Sequence, residues 1–171
     1  ASHAETVWHW LYRDYGTDPR TLTALPASVR TRLAHHTIVT QPDCLAHQIS
    51  EDGNTQKALL ALADGEQIET VLLRYRTRYS VCVSTQVGCA CGCAFCATGQ
   101  MGFHRQLTTG EIVAQILYYQ RKLADEPDKA ITNVVLMGMG EPFLNYEPTM
   151  AAVKRCVYPR GLALGPRRIT L

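Results

Sequence analysis

Residues 88–103 read G-C-A-C-G-C-A-F-C-A-T-G-Q-M-G-F, and the rest of the chain is arranged around them. Cys89, Cys93 and Cys96 follow the spacing C-x3-C-x2-C. Three thiolates so close on one loop can hold three irons of a cubic [4Fe-4S] cluster, which normally takes four protein thiolates. A trio leaves one iron open to a small molecule. Cys91 adds a fourth thiol and so raises the alternative of zinc. Structural zinc usually takes two ligand pairs from separate turns, and no second Cys-x2-Cys or His pair lies at that spacing. A disulfide cluster is less favourable still, because cysteines two apart bridge poorly. Cys91 is therefore read as a small apolar filler between true ligands.

Downstream of this loop the pattern is strand, loop, helix, repeated. Thr108-Thr109-Gly110-Glu111 is a capping box opening a helix to about Ala124, with Ile112, Ile116 and Leu123 apolar. Pro127 falls in the exit loop. Residues 131–137 form a continuous apolar strand of the kind buried in a parallel sheet. The tight loop Gly138-Met139-Gly140-Glu141-Pro142 follows, then a helix over 146–156 and a strand from Arg168. This is the grammar of an α/β barrel, whose sites lie at the C-terminal strand ends. The two loops thus fall on one face, and glycines in the second let backbone approach a ligand closely.

Upstream, residues 44–50, 56–63, 67–73 and 79–84 read as strands, and the hairpin signals Asp52-Gly53-Asn54 and Asp64-Gly65 make them a β meander. Residues 4–15 read as an amphipathic helix ended by Gly16. Residues 22–25 form a short helical piece, and Pro26 starts a helix whose face of Val29 and Leu33 runs to His36. His35 and His36 read as surface residues, Cys44 and Cys156 as core. The expected division is a helical accessory domain over 1–43, a meander over 44–80 and the first part of a barrel over 81–171.

The net charge of +2 excludes a globally basic nucleic-acid coat protein. Charge is uneven, however: residues 151–171 hold Lys154, Arg155, Arg160, Arg167 and Arg168 and no acid. Arg74, Arg76 and Arg78 are expected to alternate on one strand face. Such patches fit a polyanion or a plain solvated face. Seven clustered cysteines argue for a reducing compartment. With no signal peptide or long apolar run, the cytoplasm is expected. The lack of an initiator Met and the stop inside a strand suggest a piece of a longer enzyme.

The cluster loop, with Phe95 before its last cysteine, resembles that of radical S-adenosylmethionine (radical SAM) enzymes. R-x-S-V-C-V-S-T-Q-V-G-C-A-C-G-C-A-F-C-A-T-G-Q-M-G-F, then N-V-V-L-M-G-M-G-E-P-F-L-N, together with the N-terminal W-x-W-L-Y, resembles the family that methylates carbon 2 of adenine in 23S ribosomal RNA and in some tRNAs. The sister family acting on carbon 8 shares this core, and a radical SAM enzyme with another substrate is the further alternative. The resemblance implies a [4Fe-4S] cluster on Cys89, Cys93 and Cys96, and S-adenosylmethionine against Gly140 and Glu141. It implies a methyl-cysteine intermediate, whose carrier has no counterpart here. Cys82, seven residues before Cys89, matches the cysteine that resolves the protein–RNA adduct, and Glu69, thirteen before Cys82, the proton acceptor. Cys91 departs from the family pattern. Also implied are an RNA partner, an electron donor such as flavodoxin or ferredoxin, a monomer and no membrane. The 171 residues alone are expected to be inactive on RNA.

Overall fold

The computed structural model describes residues 2–124, 126 and 129–171; the expected exit loop at Pro127 lies outside them. Its centre is a six-stranded sheet in the order β1-β2-β3-β4-β7-β8. Strands β1 (Asp43–Ile49), β2 (Thr55–Ala61), β3 (Gln67–Tyr75) and β4 (Arg78–Cys82) form the antiparallel meander. Two of its three turns need left-handed backbone, supplied by Gly53 (φ 71°) and Gly65 (φ 88°). Strand β4 then pairs in parallel with β7 (Asn133–Val135), which pairs in parallel with β8 (Ile169–Thr170). Meander and barrel strands therefore share one sheet, with β4 serving both.

Side chains alternate across this sheet. Ala58, Leu60, Ile68, Leu72, Val81 and Val134 are buried on one face, where they meet Ile112, Ile116, Tyr119 and Leu123. Each such aliphatic side chain contributes about 1.5–3 kcal/mol. These last four lie on helix α4 (Thr109–Leu123), the parallel crossover after β4. It starts as expected: Thr108 Oγ1 accepts from Glu111 N, and Glu111 Oε2 accepts from Thr108 N. Helix α5 (Tyr146–Val157) packs beside it and buries Cys156. The Tyr119 hydroxyl reaches the carbonyls of Gln56 (2.8 Å) and Thr70 (3.1 Å), fixing α4 to the sheet.

A second, two-stranded sheet was not anticipated. β5 (Gln86–Gly88) and β6 (Phe103–Gln106) run antiparallel on either side of the cysteine loop, with a short helix α3 (Ala97–Gln100) between them. At the N-terminus, α1 (His3–Tyr12) and α2 (Ala27–His36) close over Trp10, Leu22 and Leu25. Several expectations shift here. Helix α1 ends at Tyr12, and Tyr15 rather than Gly16 takes the left-handed turn (φ 54°). The short helical piece is a 3-10 turn at Pro19–Thr21, capped by Asp18, not at 22–25. Cys44 is exposed, because β1 is the edge strand of the sheet and every residue along it is exposed. Arg74, Arg76 and Arg78 do not share a strand face; they straddle the β3–β4 turn. Arg74 is bound to Glu126 (3.0 Å) and Arg78 lies over the Tyr75 ring.

Candidate active site

The site is built at the C-terminal ends of β4 and β7, where Ser84, Thr85 and Gln86 leave the sheet as three buried polar residues in a row. Ser84 is a hub. Its Oγ donates to Glu69 O (2.6 Å) and accepts from Met139 N (2.9 Å). Its backbone N–H and C=O are both met by the buried amide of Gln115 from α4 (2.8 and 2.9 Å). Gln86 comes next: Oε1 accepts from Glu141 N (2.8 Å), while Nε2 donates to Gln106 Oε1 (2.9 Å). Asn145, also buried, donates to Thr85 O (2.7 Å) and Leu107 O (2.8 Å). The strands that flank the cysteine loop and the Gly-Met-Gly-Glu loop are thus laced together through side-chain amides, which meet buried backbone groups of Ser84, Thr85 and Leu107.

Glycines permit this closeness. A Cβ on Gly138 would lie 2.7 Å from Val83 C, and one on Gly140 (φ 92°) 2.4 Å from Gln86 Cβ. At the neck of the cysteine loop, Cys89 N donates to Gly102 O (3.0 Å). A Cβ on Gly88 would lie 1.9 Å from that same carbonyl.

All seven cysteines are free thiols. Cys89 and Cys96 are half-buried in the loop; Cys91 and Cys93 are exposed. The Cys96 thiol is pulled down, first by the backbone N–H of Gly99 and also by that of Thr98, which favours the thiolate. The Cys91 N–H donates to Cys89 Sγ (3.5 Å). The Cys91 thiol is pushed up, first by desolvation and then by Cys89, Cys93 and Glu141. The donor set suits an iron–sulfur cube in kind: soft thiols on an accessible loop, one already receiving N–H donors. As they lie, however, the sulfurs are not drawn to one point. Among the described residues, no three His, Cys, Asp or Glu side chains stand together as a metal-holding group.

Glu69 and Cys82 share the half-exposed face of the sheet. Val71 pairs with Cys82 and Cys82 with Val135, so these three project together, and Glu69 is two residues along β3 from Val71. Glu69 is therefore a diagonal neighbour of Cys82 on the same face. Its carboxylate pairs with Lys57 Nζ (2.9 Å), and its N–H points at Met139 Sδ (3.3 Å). Burial pushes the Cys82 thiol up, against the N–H of Met137. The Glu141 carboxylate accepts from Phe143 N (3.0 Å), capping the turn at Pro142–Asn145.

The two loops lie on one face of the sheet, as expected, and Glu69 and Cys82 stand on β3 and β4 of that same sheet, a proximity the sequence alone did not give. The sequence reading missed Ser84, Gln86, Gln115 and Asn145, which hold them there. The available signal was a run of three polar residues directly after an apolar strand.

No protein-family model matches the chain. It is 51% identical over 169 residues to the dual-specificity RNA methyltransferase RlmN 1 of Myxococcus xanthus, covering 99% of this chain and 47% of that protein. It is 44% identical over 168 residues to the probable dual-specificity RNA methyltransferase RlmN of Dictyoglomus thermophilum, covering 98% and 47%. A crystal structure of a radical SAM methyltransferase from Sphaerobacter thermophilus superposes with a TM-score of 0.89 at 46% identity, over 97% of this chain and 48% of that one. The chain spans about half the length of the curated relatives it matches. Identity of that size along nearly all of its length, joined to a shared architecture, makes the chain a homologue of the RNA methyltransferases named RlmN and of the solved radical SAM methyltransferase.

Proposed function

We propose that the chain forms part of a radical SAM methyltransferase that methylates carbon 2 of an adenine in 23S ribosomal RNA, and in some tRNAs, by way of a methyl-cysteine. The observation that carries this is the lacing of the cysteine loop to the Gly-Met-Gly-Glu loop through Gln86, beside a sheet face holding Glu69 and Cys82. Cys89, Cys93 and Cys96 would hold a [4Fe-4S] cluster. When bound, such a cluster supplies the electron that breaks a carbon–sulfur bond of S-adenosylmethionine. Carbon 2 of adenine is electron-poor and lies between two ring nitrogens, so it needs this radical route.

The chain's own residues have separable tasks. Gly140 would leave the backbone open to S-adenosylmethionine, and the Glu141 carboxylate, one oxygen of which caps a turn, would have the other free to accept from the ligand's ammonium. Glu69 accepts a proton from the base once it exchanges Lys57 for the substrate. Cys82, held as a neutral thiol by burial, requires a proton acceptor before it can attack, and Glu69 is the carboxylate on its face. The RNA base must leave its stack to reach this sheet. An external reductant of the flavodoxin or ferredoxin class and action by a cytoplasmic monomer belong to the same reading. Among the described residues no helix is long and apolar enough to cross a membrane.

The test uses the full-length gene in a bacterial strain lacking adenine-C2 methylation. Ribosomal RNA is digested and its nucleosides are resolved by mass spectrometry. 2-Methyladenosine is the expected product; 8-methyladenosine, or unmodified RNA from cluster-loaded protein, overturns the proposal.

A further inference from the structure

We infer that Lys57 is the residue by which the site registers RNA: its ammonium holds the Glu69 carboxylate in the absence of RNA and passes to a backbone phosphate when the substrate docks. This rests on the proposed reading of Glu69 as the proton acceptor. Strand register places the two residues. Lys57 pairs with Val71, Val71 with Cys82 and Cys82 with Val135, so Lys57 and Cys82 stand in one row across β2, β3, β4 and β7. Glu69 lies two residues along β3 from Val71, on the same face. Ala58, Thr70 and Leu72 are buried on the opposite face, whereas Lys57, Glu69 and Cys82 are only partly buried. Another strand cation of this face, Arg78, is paired with Tyr75 at its far end and lies over that ring (4.3 Å). Lys57 is the cation in contact with Glu69, with Nζ 2.9 Å from Oε1.

The exchange needs only side chains to move. The backbone of Glu69 is pinned on both sides: its carbonyl accepts from Ser84 Oγ (2.6 Å) and its N–H points at Met139 Sδ (3.3 Å). The ammonium, by contrast, ends a flexible four-carbon stem and carries three rotatable donors. The side chains of Lys57 and Glu69 are 41% and 45% exposed, so the pair is open to an incoming anion and is weak enough to be broken by one. A carboxylate that turns to the base leaves a cation behind, and the anion that an RNA substrate brings is its phosphate. A phosphate contact fixes position without reading sequence. Lys57 thus reports that RNA is present, and Glu69 is released only then. No covalent bond forms or breaks in the exchange.

The test measures the affinity of the full-length protein for 23S ribosomal RNA transcribed in vitro, over a range of salt concentrations. It compares wild type, Lys57→Met, Lys57→Arg, Glu69→Gln and the double variant Lys57→Met/Glu69→Gln. Lys57→Met is expected to lower the slope of log affinity against log salt by about 0.7–0.9, the share of one phosphate, and Lys57→Arg to restore it. Glu69→Gln frees the ammonium. If the pair is closed for about half to four-fifths of the time, this variant binds RNA about two- to fivefold more tightly. That gain is expected to vanish in the Lys57→Met background. A pair this exposed adds little stability, so all variants should keep the wild-type thermal midpoint. An unchanged salt slope in Lys57→Met overturns the inference. So does an equal gain from Glu69→Gln in both backgrounds, which reports only the loss of a negative charge. Failure of the wild type to bind the RNA overturns the RNA reading as well.

Discussion

Asn145 shows how much of the site rests on single side chains. Its amide is the hydrogen-bond partner of Leu107 O and shares Thr85 O with the Leu107 N–H. An unpaired buried carbonyl costs about 1–3 kcal/mol. Asn145→Ala is expected to destabilise the protein by about 2 kcal/mol, seen as a lower midpoint in urea at unchanged slope. Gly88→Ala should act locally instead: the added carbon meets Gly102 O, the neck of the loop opens, and the iron retained after reconstitution falls while far-ultraviolet circular dichroism is preserved. At this scale the sequence was most informative about covalent chemistry. The cysteine spacing and the glycines are visible in the chain, whereas the partners of Asn145 and Gln86 lie 20 to 60 residues away and have no local signature. Cys44 was misread for a related reason. Strand alternation says which residues share a face, but not that the strand lies at an exposed sheet edge.

Among the elements, α4 was the most legible, because both halves of its capping box lie within four residues. Thr108→Ala is expected to cost about 1 kcal/mol. Glu111→Ala should cost more, since its carboxylate also takes a two-pronged contact from Arg105 (2.8 and 3.1 Å). Arg105 in turn binds Asp64 (2.6 Å) in the β2–β3 hairpin, so the return strand β6 is tied to two elements at once. A double-mutant cycle over Arg105 and Glu111 should give a coupling of about 1–2 kcal/mol, since the pair is charge-assisted and partly shielded. The strands β5 and β6 escaped the sequence reading. Each is only a few residues long, and Phe103-His104-Arg105-Gln106 mixes apolar and charged residues without a clean period of two.

For the molecule as a whole, the hydrogen-ion balance is uneven. Burial pushes the Cys156 thiol up to about 12 and raises the Tyr12, Tyr118 and Tyr119 phenols, each by desolvation first. A group with a raised folded pKa binds more protons folded than unfolded, so stability is kept below the unfolded value and lost as pH climbs towards the folded one. For Cys156 that window runs from about 9 to about 12. Thermal midpoints should fall through this range, and Cys156→Ala, while less stable at neutral pH, should show a shallower fall. The N-terminal helices respond to packing. A Cβ on Gly16 would lie 2.0 Å from the Trp10 ring, so Gly16→Ala should shift tryptophan emission and loosen α1 before it disturbs the sheet. The isolated 171 residues are expected to leave RNA unmethylated, and methylated nucleoside in digests treated with them would refute this.

Strand β4 carries a further consequence. It runs against β3 on one side and along β7 on the other, and Cys82 sits on it while Glu69 sits on the neighbour that turns back. Any attempt to transplant the hairpins as a separate module would have to sever a strand that both partners need. The proposed base and thiol therefore move together, and a drift in one arm of the ribbon is handed to the other through the hydrogen bonds that pair the two strands.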